Sequence, residues 1–416
     1  MDPRNGPRNA VQERPRARAP RWDPEQTEAL FAPWPQYPED EIEAATAVLR
    51  SGKVNYWTGE EARAFEREYA AALGRRHAVA LANGTLALEA ALAAFGVGEW
   101  DEVITTSRTF VASASAAVMR GARPVIADVD RDSQNVTAET IAPLITERTK
   151  AIIPVHLAGW PVDMDPVMRL AEDAGLIVIE DCAQAHGATY KGEPVGSLGH
   201  GAAFSFCQDK IITTGGEGGM FVTDDDAAWK RAWALKDHGK SFDAVYNREH
   251  PPGFRWLHES FGSNWRMTEF QAALGRRQLA KLDGTVARRR AHADALSDAF
   301  EELPGLRVTR PPEDAGHAYY KYYAFVRPEA LNSGWDRDRV MQEVNDAGVP
   351  CRSGSCSEIY REIAFRDAGF GPAERLPVAR ELGETSLMFM VHPPLPDEAI
   401  ARTADVVGEV MRRATR

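Results

Sequence analysis

Cysteine is scarce, with four residues in a chain of 416. A chain this long can bury a large core unaided, so no disulfide framework is implied, and a reducing, cytoplasmic setting is expected. Long hydrophobic runs are also missing. No window approaches the roughly 18 uninterrupted apolar residues of a membrane helix, so no membrane association is expected. Basic charge is in deficit, with 49 Lys and Arg against 61 Asp and Glu and a formal net charge of −12. A nucleic-acid binder would show a net basic domain, so no nucleic-acid partner is expected. Internal repeats are absent. What remains, 44% hydrophobic, is ordinary for a soluble globular protein. The length implies two domains, or one large domain with an appendage.

Residues 1–21 stand apart. Arg4, Arg8, Arg14, Arg16, Arg18 and Arg21 mix with Pro3, Pro7, Pro15 and Pro20. So few large apolar residues cannot offset the ordering entropy, and the segment reads as a disordered basic tail. From Asp40 the helical period begins, with Ile42, Ala45, Val48 and Leu49 on one face. A second helix runs through residues 62–69 and stops near Gly74.

Between about residues 77 and 225, short apolar runs alternate with helical stretches such as 86–95 and 166–173. The runs are Ala78-Val79-Ala80-Leu81, Val103-Ile104, Pro124-Val125-Ile126, Ala151-Ile152-Ile153-Pro154-Val155 and Leu176-Ile177-Val178-Ile179. Continuous rather than alternating apolar strands in a βαβ rhythm predict a mostly parallel sheet with helices on both faces. In such sheets chemistry collects beyond the carboxyl ends of the strands. Residues 238–263 form a polar and aromatic stretch that its length marks as functional or disordered. A helical run over 268–300 follows. After residue 305, strands such as Tyr322-Tyr323-Ala324-Phe325-Val326 mix with helices as in a second, α+β domain.

Four places carry candidate chemistry. The run ending at Ile179 delivers Glu180-Asp181 to the end of a buried strand. A carboxylate there needs a cation, such as the protonated ring nitrogen of pyridoxal phosphate, unless Asp181 is simply a helix cap. Lys210 follows Ser205-Phe206-Cys207-Gln208-Asp209 and precedes the glycine-rich Thr214-Gly215-Gly216-Glu217-Gly218-Gly219. It is either a desolvated lysine able to form a Schiff base or a surface lysine beside a tight turn. Asn83-Gly84-Thr85 follows a strand and opens a helix, as a phosphate cradle does and as any capped helix does. Phe110, after Arg108-Thr109, either stacks on a flat ring or belongs to the core. Cys351 and Cys356 have no second thiol pair, so no metal site is expected.

Taken in order, Gly84-Thr85, Thr109-Phe110, Glu180-Asp181-Cys182-Ala183-Gln184-Ala185-His186-Gly187, Ser205-Phe206 with Lys210 and the glycine turn, and Asn264-Trp265-Arg266-Met267 resemble the DegT/DnrJ/EryC1/StrS family of pyridoxal-phosphate sugar aminotransferases. The resemblance covers roughly residues 35–410. It implies a type I aminotransferase fold: a large cofactor domain over 22–285 with a mostly parallel central sheet, and a smaller α+β domain over 286–416. It also implies pyridoxal 5′-phosphate as cofactor and a homodimer with shared active sites. By position, Lys210 is then the Schiff-base lysine, and Asp181 pairs with the ring nitrogen. Gln184 contacts the ring hydroxyl, and Phe110 stacks on the ring. Gly84, Thr85 and Ser205 hold the phosphate, which Asn264 reaches from the partner subunit. His156, in a further family-like motif, has no assigned role and is at least equally a structural histidine.

The activity implied is transfer of an amino group from glutamate or glutamine to a nucleotide-linked keto sugar. A keto-cyclitol acceptor is the alternative. A sugar dehydrase of the family would carry histidine at position 210, and a non-enzymatic regulator would show a damaged site or an added DNA-binding unit. Substrate contacts are expected from Asn55-Tyr56-Trp57, the 238–263 stretch and the run at 351–360.

Overall fold

In the computed structural model, which describes residues 22–415, the strands follow the apolar runs. The basic tail expected over residues 1–21 lies outside the described residues. In chain order come β1 (His77–Leu81), β2 (Glu102–Thr106), β3 (Arg123–Ala127), β4 (Thr149–Ile153) and β5 (Ile177–Asp181). Then come β6 (Thr189–Tyr190), β7 (Glu193–Pro194), β8 (Gly201–Ser205) and β9 (Gly219–Thr223). Seven of these form one sheet in the order β1-β9-β8-β5-β4-β2-β3. Neighbouring strands from β3 through β8 are parallel, and β9 runs antiparallel to both β8 and β1.

Every residue of β2, β8 and β9 is buried, so side chains of both parities need cover. Val79, Leu81, Ala203 and Phe221 pack on one side with the alanine-rich helix Gly84–Ala94. Ala78, Ala80, Phe204, Met220 and Val222 pack on the other with Phe65, Tyr69 and Phe206. Each large apolar side chain so buried stabilises the fold by roughly 1.5–3 kcal/mol.

The C-terminal part builds a second, antiparallel sheet from β10 (Leu306–Arg307), β12 (Tyr322–Val326), β13 (Cys351–Arg352) and β14 (Ser386–Phe389), in the order β10-β12-β14-β13. Between the first two, β11 (Ala315–Gly316) joins the β6–β7 ribbon and ties the two parts together. Helices Leu282–Glu301, Arg337–Asp346 and Asp397–Ala414 cover the second sheet around Phe300, Tyr322, Phe389 and Val407. Trp22, Leu30 and Phe31 pack against this same core, although they lie at the amino-terminal end of the described chain.

The helical run over 268–300 is two helices, Glu269–Ala280 and Leu282–Glu301. They part at Lys281, whose backbone leaves helical geometry and whose ammonium bonds Asp40 and Glu41. The 238–263 stretch holds one short helix, Phe242–Tyr246, and is tied at both ends by Asp237 pairing with Asn264 and Lys240 with His258. Among the described residues no helix is long and apolar enough to cross a membrane.

Candidate active site

The last two residues of β5 face opposite ways, as the strand period requires. Glu180 is fully buried and accepts the amides of Gly196, Leu198 and Gly199 at 2.7–2.8 Å. Its Oε2 lies 3.1 Å from His156 Nε2. His156 Nδ1 accepts the Val162 amide at 2.9 Å, so Nε2 carries the proton and donates to Glu180. Burial alone would raise the Glu180 pKa, but His156 and the amides of Gly199 and Gly196 bring it below its ordinary value. Cys182 lies in the same cluster. With both nitrogens of His156 engaged, the cluster has no imidazole lone pair for an ion. His156 is a structural histidine that fixes the end of β5.

Asp181 points to the site. Its Oδ2 accepts the Ser113 hydroxyl at 2.7 Å and its Oδ1 the Ala183 amide at 3.1 Å. The Ser113 oxygen lies 2.9 Å from the Thr109 hydroxyl, which completes a relay back to the residue before Phe110. Burial pushes the Asp181 carboxyl up, against the pull of Ser113, Ala183 and the charges of Lys210 and His156. A carboxylate this buried is stabilised by one more cation placed against it.

On the neighbouring strand β8, Ser205 faces the start of helix Gly84–Ala94. A Cβ on Gly84 would sit 2.5 Å from Ser205 Cβ, so only glycine lets the two backbones come this close. Asn83 caps the helix by accepting the Leu86 amide at 2.9 Å. The amides of Gly84 and Thr85 are left without intrahelical acceptors, as at any helix start. The Ser205 carbonyl is 2.8 Å from His186 Nε2, and His186 Nδ1 is 2.8 Å from the Tyr69 hydroxyl. Burial lowers the His186 pKa to about 4, so the ring is neutral near pH 7 and passes one proton's orientation from Tyr69 to Ser205.

Lys210 sits on a loop clamped to the glycine turn, where Gln208 donates to the Gly216 carbonyl at 2.9 Å and Phe206 to Gly218 at 2.8 Å. Its Nζ is 3.6 Å from Asp209 Oδ1 and 5.0 Å from the centre of the Tyr320 ring. Its carbonyl accepts the Trp34 indole N–H at 2.8 Å. Gln184 is fixed by accepting the Ala158 amide at 2.8 Å.

The structure thus brings Lys210, Asp181, Gln184, Ser205, Gly84 and Thr85 to the carboxyl edge of the large sheet. Phe110 is 67% exposed and starts beyond the buried Arg108, which bonds Gln134 and Ser386. The Thr109 amide donates to the Cys356 carbonyl and the Ile359 amide to the Ser107 carbonyl, so the 351–360 run lies against residues 107–109. Asn264 is exposed, with its backbone paired to Asp237. Tyr56 differs from expectation. It is buried, bonds Glu66 and accepts from Trp233, while Trp57 donates to Asp237, so both pack the large domain. Sequence reasoning missed Ser113, Tyr69, Trp34 and Tyr320. Ser113 alone left a signal, as a hydroxyl one helical turn after Thr109.

An anion-ready helix start beside Ser205, and a buried carboxylate that wants a cation, suit a phosphorylated, protonated pyridine held near an amine. These are the requirements of a pyridoxal-phosphate enzyme of the type I aminotransferase fold. Residues 35–408 match the model of the DegT/DnrJ/EryC1/StrS aminotransferase family, and the chain belongs to that family. The aminotransferase from Psychrobacter cryohalolentis is 54% identical, with a TM-score of 0.91 over 92% of this chain and 99% of that one. GDP-perosamine synthase of Caulobacter vibrioides is 41% identical over 352 residues, 83% of this chain and 89% of that protein. 3-Amino-5-hydroxybenzoate synthase of Amycolatopsis mediterranei is 34% identical over 393 residues, 92% of this chain and 98% of that protein. The protein is an aminotransferase whose cofactor is pyridoxal 5′-phosphate.

Proposed function

We propose that the protein moves an amino group from glutamate or glutamine to a keto sugar carried on a nucleotide. The observation that carries the reading is Lys210, set on a rigid glycine turn within the electrostatic reach of the buried Asp181. The acceptor class rests on relatives such as GDP-perosamine synthase. Pyridoxal phosphate, when bound, supplies an electron sink for the amino acid's α-carbon and carries the amino group between donor and acceptor. The protein's residues do the rest. Lys210 holds the cofactor and is the base that removes the α-proton. Asp181, oriented by Ser113 and Ala183, keeps the ring nitrogen protonated. Gln184 would meet the ring hydroxyl, and Phe110 would cover the ring face. Gly84, Thr85 and Ser205 would bind the phosphate, and Asn264 would reach it from the partner subunit of a homodimer. Donor product leaves before acceptor binds, so the kinetics are ping-pong.

The 3-amino-5-hydroxybenzoate synthase relative favours a second reading, a cyclic ketone without a nucleotide. A screen of the purified holoenzyme with glutamate or glutamine separates the two. Amination of keto sugar nucleotides is expected. Turnover of free cyclitol ketones alone would overturn the nucleotide reading. Lys210→Ala should lose turnover and the yellow lysine-bound cofactor band together, and a fully active variant would remove Lys210 from the chemistry.

A further inference from the structure

Lys210 sits at the edge of the large sheet, but its carbonyl and its amine are both held from the second domain. Both holds lead back to one buried guanidinium. Arg289, on the helix Leu282–Glu301, is 1% exposed. Its Nη1 donates to the Tyr319 and Tyr320 carbonyls at 3.3 and 3.1 Å, and its Nε and Nη2 have no hydrogen-bond partner among the described residues. Burial pulls its pKa down to about 9, against the opposing pull of Tyr320 and Asp209. Burying such a cation is costly, and two of the groups set against it are the ones that reach Lys210. The first is Trp34. Arg289 lies 5.4 Å from the centre of its ring, and the indole N–H donates to the Lys210 carbonyl at 2.8 Å. Trp34 arrives from the second domain, where Trp22, Leu30 and Phe31 pack against the core.

The second is Tyr320, just before β12. Its amide donates to the Ala158 carbonyl at 2.7 Å, while its carbonyl accepts from Arg289. Tyr319 before it has a φ of +47°, a left-handed conformation that bulky residues seldom adopt. Such backbone persists where its surroundings over-determine it, and it clusters at functional sites. The Tyr320 hydroxyl donates to Asp209 Oδ2, and the other oxygen, Oδ1, lies 3.6 Å from Lys210 Nζ. The two carboxylate oxygens are thus divided between the hydroxyl that aims the group and the amine it faces. Burial raises the Asp209 carboxyl, but Lys210, the Tyr320 hydroxyl and Lys321 outweigh it and bring it below its ordinary value, so it is an anion at neutral pH.

Resting on the reading of Lys210 as the lysine that holds the cofactor, we propose that Asp209, Tyr320 and Trp34 are positioning residues for it. Asp209, aimed by the Tyr320 hydroxyl, takes the ammonium whenever it is not bonded to the cofactor, and Trp34 fixes the backbone beneath it. The freed amine then stays at the site instead of spreading over the many rotamers of a lysine side chain. Because both arms come from the second domain, the seating of that domain sets the position of the lysine.

The test starts from apoenzyme, to which pyridoxal phosphate is added while the rise of the lysine-bound band is timed. Tyr320→Phe removes only the hydroxyl, and Asp209→Asn only the charge. Trp34→Phe removes the indole N–H and leaves an aromatic ring against Arg289. Closure of the linkage should slow about tenfold in the first two, with the final band unchanged. Tyr320 acts through Asp209, so the double variant should be no slower than Asp209→Asn alone. Trp34→Phe should slow closure about threefold and speed amide exchange over residues 207–212 of the apoenzyme. In the loaded enzyme, the limiting rate of the glutamate half-reaction should fall in step while its half-saturating concentration holds. Unchanged closure in either Tyr320→Phe or Asp209→Asn would overturn the proposal, even with a lowered melting temperature, because that is the mark of packing alone. So would defects that multiply in the double variant, which report two independent losses. Unaltered closure and exchange in Trp34→Phe would strike out the backbone hold. Closure needs neither donor nor acceptor, so it is independent of the acceptor screen. Lys210→Ala, which should show no band, reports separately whether Lys210 holds the cofactor.

Discussion

Asp181 and Glu180 are adjacent acids with opposite solutions to burial. Glu180 is satisfied by three amides and a histidine, whereas Asp181 has one hydroxyl and one amide and a carboxyl pushed up by desolvation. Asp181→Asn keeps the shape and removes the charge that would hold a ring nitrogen protonated. Because that charge acts on the transition state, kcat should fall about 10²–10³-fold with cofactor still bound. Wild-type turnover in this variant would reduce Asp181 to a turn cap. His186 makes a separate prediction about stability. Its folded pKa, about 4, lies below its unfolded value, so the native state resists the proton. The stability it contributes is present above the unfolded pKa, near 6.5, and is lost as pH falls toward 4, by roughly 3 kcal/mol in all. Urea unfolding at pH 7 and pH 5 should show this loss, and His186→Asn should flatten the difference. The sequence singled out Lys210, Asp181 and Gly84 because each sits in a dense local pattern. Ser113 left only its spacing from Thr109, and Tyr69 and Trp34 left no trace, since their partners are 68, 117 and 176 residues away.

At the scale of elements, parallel strands were readable because burial on both faces forces unbroken apolar runs. β9 was not, since Met220-Phe221-Val222 emerges directly from the glycine turn and pairs antiparallel both with β8, just before it, and with β1, far back in the chain. The 238–263 stretch was equally opaque, because its order comes from its two ends rather than from any period. Gly239 is the clasp. Its φ is +81°, and a Cβ there would run into the Ser260 carbonyl, while the Glu259 amide donates to the Gly239 carbonyl at 3.0 Å. Gly239→Ala meets both a backbone conformation that L side chains avoid and a clash with main chain, and should cost about 1–3 kcal/mol. Limited proteolysis should cut faster within residues 247–258, and the melting temperature should fall. An unaltered digestion pattern with an unaltered melting temperature would mean the clasp carries nothing.

For the whole molecule, one chain leaves parts of its candidate site uncovered. Phe110, Phe254, Trp256 and Phe261 are all exposed, and so is Asn264 close by in sequence to the last of these. Phe254 and Trp256 meet edge to face while exposed, and a second copy of the chain is the occupant that the proposed shared site would require. The prediction is genetic complementation. Lys210→Ala and an impaired Asn264→Ala protein are mixed and allowed to exchange subunits. If Asn264 serves its partner's cofactor, one site of each heterodimer inherits both defects and the other is wholly wild type. A heterodimer should then show about half the activity of the native dimer, and random mixing, which makes about half the dimers mixed, should restore roughly one quarter of native activity. If Asn264 acts within its own chain, every heterodimer holds one singly defective site of each kind, and mixing restores nothing. Sedimentation of an active monomer at assay concentration would defeat the shared site more directly, because no partner would then be present to supply Asn264.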